Sequence, residues 1–135
     1  MVVVWISLLL ISPGPGIDMK RICFLAFGAY PILSRQENFY DLGGAELQQV
    51  LLGKELAKKG YDIIFIDFDY GQKQYETVQG IKIIKTFKPQ NKEKILNHII
   101  HIPLLLNALV KAQADIYYQM AGVYFVPVIY AIVSL

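Results

Sequence analysis

Apolar positions along this chain fall into short runs separated by longer mixed stretches. Ile22-Cys23-Phe24-Leu25-Ala26-Phe27 is one run, and Asp62-Ile63-Ile64-Phe65-Ile66-Asp67 is a second. Ile81-Lys82-Ile83-Ile84-Lys85 and Asp115-Ile116-Tyr117-Tyr118-Gln119 are a third and a fourth. Each is too short for an ordinary helix, and the cores of the first two are continuous rather than alternating. That pattern predicts strands covered on both faces. Gly44 to Lys59 predicts a helix, with Lys58-Lys59 in its last turn and Gly60 as its stop. Ala45, Leu52, Gly53 and Leu56 form one stripe on it, with Gly53 allowing close approach to a neighbour. Leu47, Val50, Leu51 and Ala57 lie on another side, so wide burial is expected. Gly28 to about Asn38 or Asp41 and Phe68 to Gln74 read as loops. A second helix runs from about Lys92 to Ala112, with a kink or break expected near Ile102 because Pro103 follows. Gly122 opens a last helix that contains Pro127.

Strands alternating with helices predict a doubly wound, Rossmann-like α/β fold, a parallel sheet with helices on both faces. Ligands of such sheets sit beyond the carboxyl ends of the strands, where the strand order reverses. The Gly43-Gly44 corner, the Asp67-to-Gly71 loop and the Gln119-to-Gly122 turn are therefore expected on one rim.

Composition narrows the picture. The 135 residues suit one domain; 55% are hydrophobic and 18% charged, enough for a substantial core. A net charge of +2 with scattered lysines does not point to nucleic acid. Lys54, Lys58, Lys59, Lys82, Lys85, Lys88, Lys92 and Lys94 read as solvated faces first and as weak attraction to an anionic membrane second. Cys23, the single cysteine, sits inside an apolar run and reads as a small buried hydrophobe in a reducing compartment. Val2 to Ile11 is apolar apart from Ser7, and Ser12-Pro13-Gly14-Pro15-Gly16 breaks any helix. The run falls short of the about 20 residues a spanning helix needs. No positive charge precedes it, as a signal peptide would require. Residues 1–18 are expected to lie outside the fold, with a short membrane-contacting tail as the alternative.

The candidate chemistry centres on Gly43-Gly44-Ala45-Glu46. A glycine pair at a helix mouth admits a ligand close to the backbone, where unpaired N–H groups can seat a phosphate, a carboxylate or a sugar hydroxyl. His98 and His101 share a helix face, but no carboxylate or cysteine is placed to complete a metal site with them. Asp67 and Asp69 follow the glycine loop at the distance of a dinucleotide fold's ribose ligand. The G-x-G-x-x-G fingerprint is missing, however, and the loop to Gly43 is long. Ile116 to Leu135 carries no charge, and its strand-like start together with Gln119, Gly122 and Pro127 argues against one spanning helix.

Taken in order, several phrases resemble the N-terminal domain of glycosyltransferase family 4, the two-domain enzymes of the GT-B fold. They are Met19-Lys20-Arg21-Ile22, Gly43-Gly44-Ala45-Glu46, Leu56-Ala57-Lys58-Lys59-Gly60-Tyr61-Asp62, Gly80-Ile81-Lys82-Ile83 and Ala114-Asp115-Ile116-Tyr117-Tyr118-Gln119. The resemblance covers residues 19 to about 130. It implies an incomplete N-terminal half of a GT-B fold that holds the acceptor, a glycan or a lipid-linked sugar. The nucleotide-sugar donor would bind a C-terminal domain outside this sequence, which would also carry a glutamate pair. It implies Gly43, Gly44 and Gln119 as substrate-binding residues near the cleft, with no metal and no cofactor. Met120 and Ala121 stand where relatives often carry a histidine or arginine, so no catalytic residue is assigned. A cytoplasmic protein, peripheral at the inner face of the membrane and inactive without its donor domain, is the expectation. The alternatives are a membrane-associated subunit of a split glycosyltransferase and a dinucleotide-binding Rossmann domain.

Overall fold

The computed structural model describes residues 20–35, 43–89 and 95–120, with the side chains of 95–100 excepted. The expected extension at 1–18 and the last helix from Gly122 lie outside these residues. Within them the order is β1 (Arg21–Leu25), α1 (Ala29–Leu33), α2 (Gly44–Lys58), β2 (Asp62–Asp67), β3 (Tyr75–Val78), β4 (Ile81–Lys85), α3 (Ile95–Ala112) and β5 (Ile116–Gln119). All four expected strands form. The fold is a mixed α/β layer structure around one five-stranded sheet of order β3-β4-β2-β1-β5.

The sheet is mostly parallel. β1 pairs β2 with Phe24 opposite Phe65, and β5 with Leu25 opposite Gln119. β2 pairs β4 with Phe65 opposite Ile83. Only β3 is antiparallel, forming a hairpin with β4 in which Val78 faces Ile81. Its two-residue turn places Gln79 at φ 51° and Gly80 at φ 80°. Two successive positive φ values match the twist of a tight hairpin, which is why glycine stands second. The chain steps from β1 through β2 to β4, then crosses back over α3 to set β5 on the far side of β1. The order reverses between β1 and β5.

The double apolar run of each central strand is explained by two cores. On one face Ile22, Phe24, Ile63, Phe65, Ile81 and Ile83 pack with Ala29, Tyr30 and Leu33 of α1 and Val50 of α2. On the other, Cys23, Leu25, Ile64, Ile66 and Ile84 meet Leu105, Ala108, Leu109 and Ala112 of α3. Gly53 is the close-approach point: a Cβ there would lie 2.7 Å from the Phe65 ring. Cys23 is fully buried, and burial pushes its thiol far up, out of reach of ordinary reactivity.

Three local expectations change. Pro103 neither breaks nor ends α3, which runs from Ile95 through it to Ala112. The packing of Leu105, Ala108, Leu109 and Ala112 against the sheet holds the helix together beyond the proline. The helix from Gly44 is covered on one side only, since Leu47, Leu51 and Leu52 are exposed. The connection after β1 contains α1, and the stretch beyond Gln74 contains β3.

At the amino ends of the strands, Asp62 accepts from Arg21 Nε at 2.7 Å and pairs with Lys82 Nζ at 2.9 Å. Arg21 N in turn donates to Asp115 at 2.8 Å. This polar knot closes the end of the sheet opposite the candidate site. No helix among the described residues is long and apolar enough to cross a membrane.

Candidate functional site at the carboxyl rim

Because β1, β2, β4 and β5 run the same way, their carboxyl ends share one rim. Asp67 organises it. Its carboxylate is wholly buried at the end of β2 and accepts from Gly28 N at 2.6 Å, Phe68 N at 2.6 Å and Tyr30 N. Gly28 stands at φ 103°, a conformation only glycine adopts at little cost. The Asp67 carboxylate thus occupies the turn between β1 and α1. Burial pushes its pKa up to about 7, while the amides of Gly28, Phe68 and Tyr30 pull the other way. The main-chain oxygen of Asp67 accepts from Thr86 N at 2.9 Å and Thr86 Oγ1 at 2.6 Å, fixing the end of β4 beside it.

The loop after β2 is equally well tied. Gln72 donates through Nε2 to Phe68 O at 2.7 Å and accepts from Tyr70 N at 2.6 Å. Asp69 accepts from Gly71 N at 2.9 Å and sits 3.5 Å from Lys85 Nζ. The Gly71 amide, followed by Lys85, holds its carboxyl below the usual range. The Tyr70 ring stacks on that of Tyr30 with centroids 6.5 Å apart. Burial, then the charges of Asp67 and Glu46, push the Tyr70 phenol up to about 12. Glu46, whose charge adds to that shift, lies in the first turn of α2.

Gly43 caps α2 with extended backbone, φ −68° and ψ 159°, and Gly44 is its first helical residue. Neither needs a positive φ, so backbone conformation does not explain the glycine pair. A Cβ on Gly43 would meet Glu46 Oε2 at 2.6 Å, the far end of a side chain that can move. A Cβ on Gly44 would meet nothing within 4 Å among the described residues, and Gly44 itself is exposed.

Gln119 ends β5 opposite Leu25, at the strand-order reversal, and is 8% exposed. Its Oε1 is buried without a partner among the described residues, as are Gln49 Oε1 on α2 and His101 Nδ1 on α3. Gly43 and Gly44 are thus brought to the same rim as the Asp67 loop, and Gln119 lies on the rim at β5. Asp67 and Asp69 are committed to the chain's own backbone. The His101 ring lies flat on Phe87 with centroids 4.1 Å apart; the side chain of His98 lies outside the described residues. Among the described residues no group of three or more His, Cys, Asp and Glu could hold a metal ion.

Sequence reasoning missed two rim residues. Tyr30 lies in what read as a loop. Tyr70 lies within the expected loop, yet nothing local marks its stack on Tyr30. On comparison with protein-family models, with curated proteins and with solved structures, nothing matches this chain.

Proposed function

We propose that this chain is the acceptor-side lobe of a GT-B glycosyltransferase, with its acceptor, a glycan or lipid-linked sugar, seated at the carboxyl rim beside Gly43 and Gly44. One observation carries the reading. The chain keeps glycine at Gly44 although neither its backbone angle nor packing among the described residues calls for it. Glycine there forgoes helix propensity worth several tenths of a kcal/mol. Space kept clear at a helix mouth on the ligand-bearing rim suits a substrate that approaches the backbone. The order of elements and the resemblance of the Gly43-to-Asp62 stretch to family 4 support the same reading.

On this reading the rim binds and orients. Backbone N–H groups at the α2 mouth donate to acceptor oxygens, while Glu46 offers an acceptor to sugar hydroxyls. A second lobe, in the same polypeptide or another, would hold the nucleotide sugar and stabilise the leaving diphosphate. The purified chain alone should turn over no nucleotide sugar, and adding the donor lobe should restore transfer. Turnover by the chain alone would refute this division of labour.

The dinucleotide alternative has less support. Its ribose ligand would be Asp67 or Asp69; the Asp67 carboxylate is buried and committed to three backbone amides, and Asp69 accepts from Gly71 N and lies beside Lys85 Nζ. Titration with NAD and NADP separates the two readings, since only a dinucleotide-binding domain should respond.

A further inference from the structure

We propose that Gln49 is a specificity-determining residue of the α2 mouth, setting it to take a neutral sugar hydroxyl rather than a phosphate. The inference rests on the acceptor reading of the carboxyl rim and narrows it. Gln49 lies in the second turn of α2 and is 3% exposed. Its Oε1 is buried with no hydrogen-bond partner among the described residues. Most buried side-chain polar atoms are paired, because leaving one unpaired costs its desolvation without return. An apolar side chain would fill the same position without that cost.

Side chains on a helix lean toward its N-terminus and cover the turn before their own Cα. Gln49 therefore leans over Ala45 and Glu46, the first turn of α2, beside the exposed Gly44. The last torsion of a glutamine side chain is broad. A small rotation there brings the carbonyl to a donor seated at the mouth.

The chemistry of the mouth selects the occupant. Backbone N–H groups at the start of α2 donate. Glu46 folds back over the cap, since a Cβ on Gly43 would meet its Oε2 at 2.6 Å. Its carboxylate is a hydrogen-bond acceptor, and its charge offsets the positive end of the helix dipole. Gln49 Oε1 adds a second acceptor on the same helix face. A phosphate dianion chiefly accepts and would bring negative charge against Glu46. A hydroxyl accepts from an N–H and donates to Glu46 or Gln49. Donors beside two acceptors suit a sugar ring with adjacent hydroxyls. Pairing the Gln49 carbonyl adds to affinity, because the free chain carries the cost of the unpaired group and the bound chain does not. A ligand lacking that hydroxyl leaves the cost in place, which is how a buried polar group discriminates.

Amide shift titration of the full chain tests the proposal. The probes are the methyl glycosides of glucose, galactose, mannose and N-acetylglucosamine and, separately, inorganic phosphate. At least one glycoside should shift the backbone amides of Gly44 and Ala45 and the side-chain amide of Gln49, and phosphate should shift none of them. Gln49→Met should bind that glycoside about tenfold more weakly, while Gln48→Met, at an exposed neighbour, should bind as the wild type. One monodeoxy form of the glycoside should lose a similar factor against the wild type and nothing further against Gln49→Met. Because the substitution removes an unpaired carbonyl, the urea midpoint of Gln49→Met should equal or exceed that of the wild type. A lower midpoint would mean that the amide is engaged within the chain, and would overturn the proposal. Phosphate shifts at Gly44 and Ala45 in the wild type would also overturn it. Glycoside shifts at Gly43 and Gly44 with undiminished binding by Gln49→Met would remove the role of Gln49 and leave the acceptor reading standing. Binding of no glycoside would remove both.

Discussion

Asp67 concentrates the chemistry of the rim in one side chain. A buried carboxylate accepting three backbone amides fixes where β1 ends and α1 begins. Asp67→Ala would leave those N–H groups buried without an acceptor and should cost on the order of 3 kcal/mol in urea unfolding. Its folded-state pKa of about 7 lies above the roughly 3.9 of an unfolded aspartate. Between those values the folded chain holds more protons than the unfolded one. The Asp67 contribution is therefore fully present below about pH 4 and is lost as pH rises through 7, with a slope of at most about 1.4 kcal/mol per pH unit. Asp67→Asn should remove that slope, so in unfolding curves collected from pH 4.5 to 8 the wild type should lose stability relative to the variant as pH rises. Parallel pH profiles would contradict this assignment. At Gly44 the expectation is opposite in kind. Gly44→Val fills open space at a helical residue and should change stability by less than about 1 kcal/mol. In the complete or reconstituted enzyme it should cut transfer at least tenfold. Lost stability with retained transfer would make the glycine structural.

Elements differ in how openly the sequence announces them. β1, β2, β4 and β5 are legible because each carries its own apolar run, and α2 because Gly60 and the lysines before it mark its end. α1 is hidden because Ala29–Leu33 has no helical signal of its own; its start is held by Asp67, a carboxylate 39 positions from the Gly28 amide it binds. β3 is hidden because Tyr75-Glu76-Thr77-Val78 is polar and lies on an edge. The Gln79-Gly80 pair before an apolar run is the hairpin signal that marks it. Pro103 misleads because sequence shows the missing N–H but not the tertiary packing that outweighs it. Pro103→Ala should therefore raise stability by about 1–3 kcal/mol, read from the urea midpoint at constant slope. Gly53→Ala should lower stability by about 1–3 kcal/mol despite better helix propensity, because the added Cβ meets the fully buried ring of Phe65. A stabilised Gly53→Ala would mean that α2 can move away from the sheet.

At the scale of the whole molecule, the sheet separates two ends with different tasks. Its amino end is closed by Arg21, Asp62, Lys82 and Asp115, groups that satisfy one another. Its carboxyl end carries the mouth of α2, the Asp67 loop and Gln119, with the strand order reversing between β1 and β5. The rim's location was legible from the alternation of strands and helices. The Tyr30–Tyr70 stack was not, since it arises only when segments distant in sequence meet. The most direct test of the rim as an acceptor seat is a backbone amide shift titration of the full chain. The panel would hold glycans, a water-soluble lipid-linked sugar analogue, a nucleotide sugar and NAD. The account predicts that a sugar acceptor shifts the amides of Gly43, Gly44, Ala45 and Gln119, leaves those of Arg21 and Lys82 in place, and that NAD shifts none of them. Shifts at Gly28 and Gly44 with NAD, or acceptor shifts confined to residues away from the rim, would contradict it.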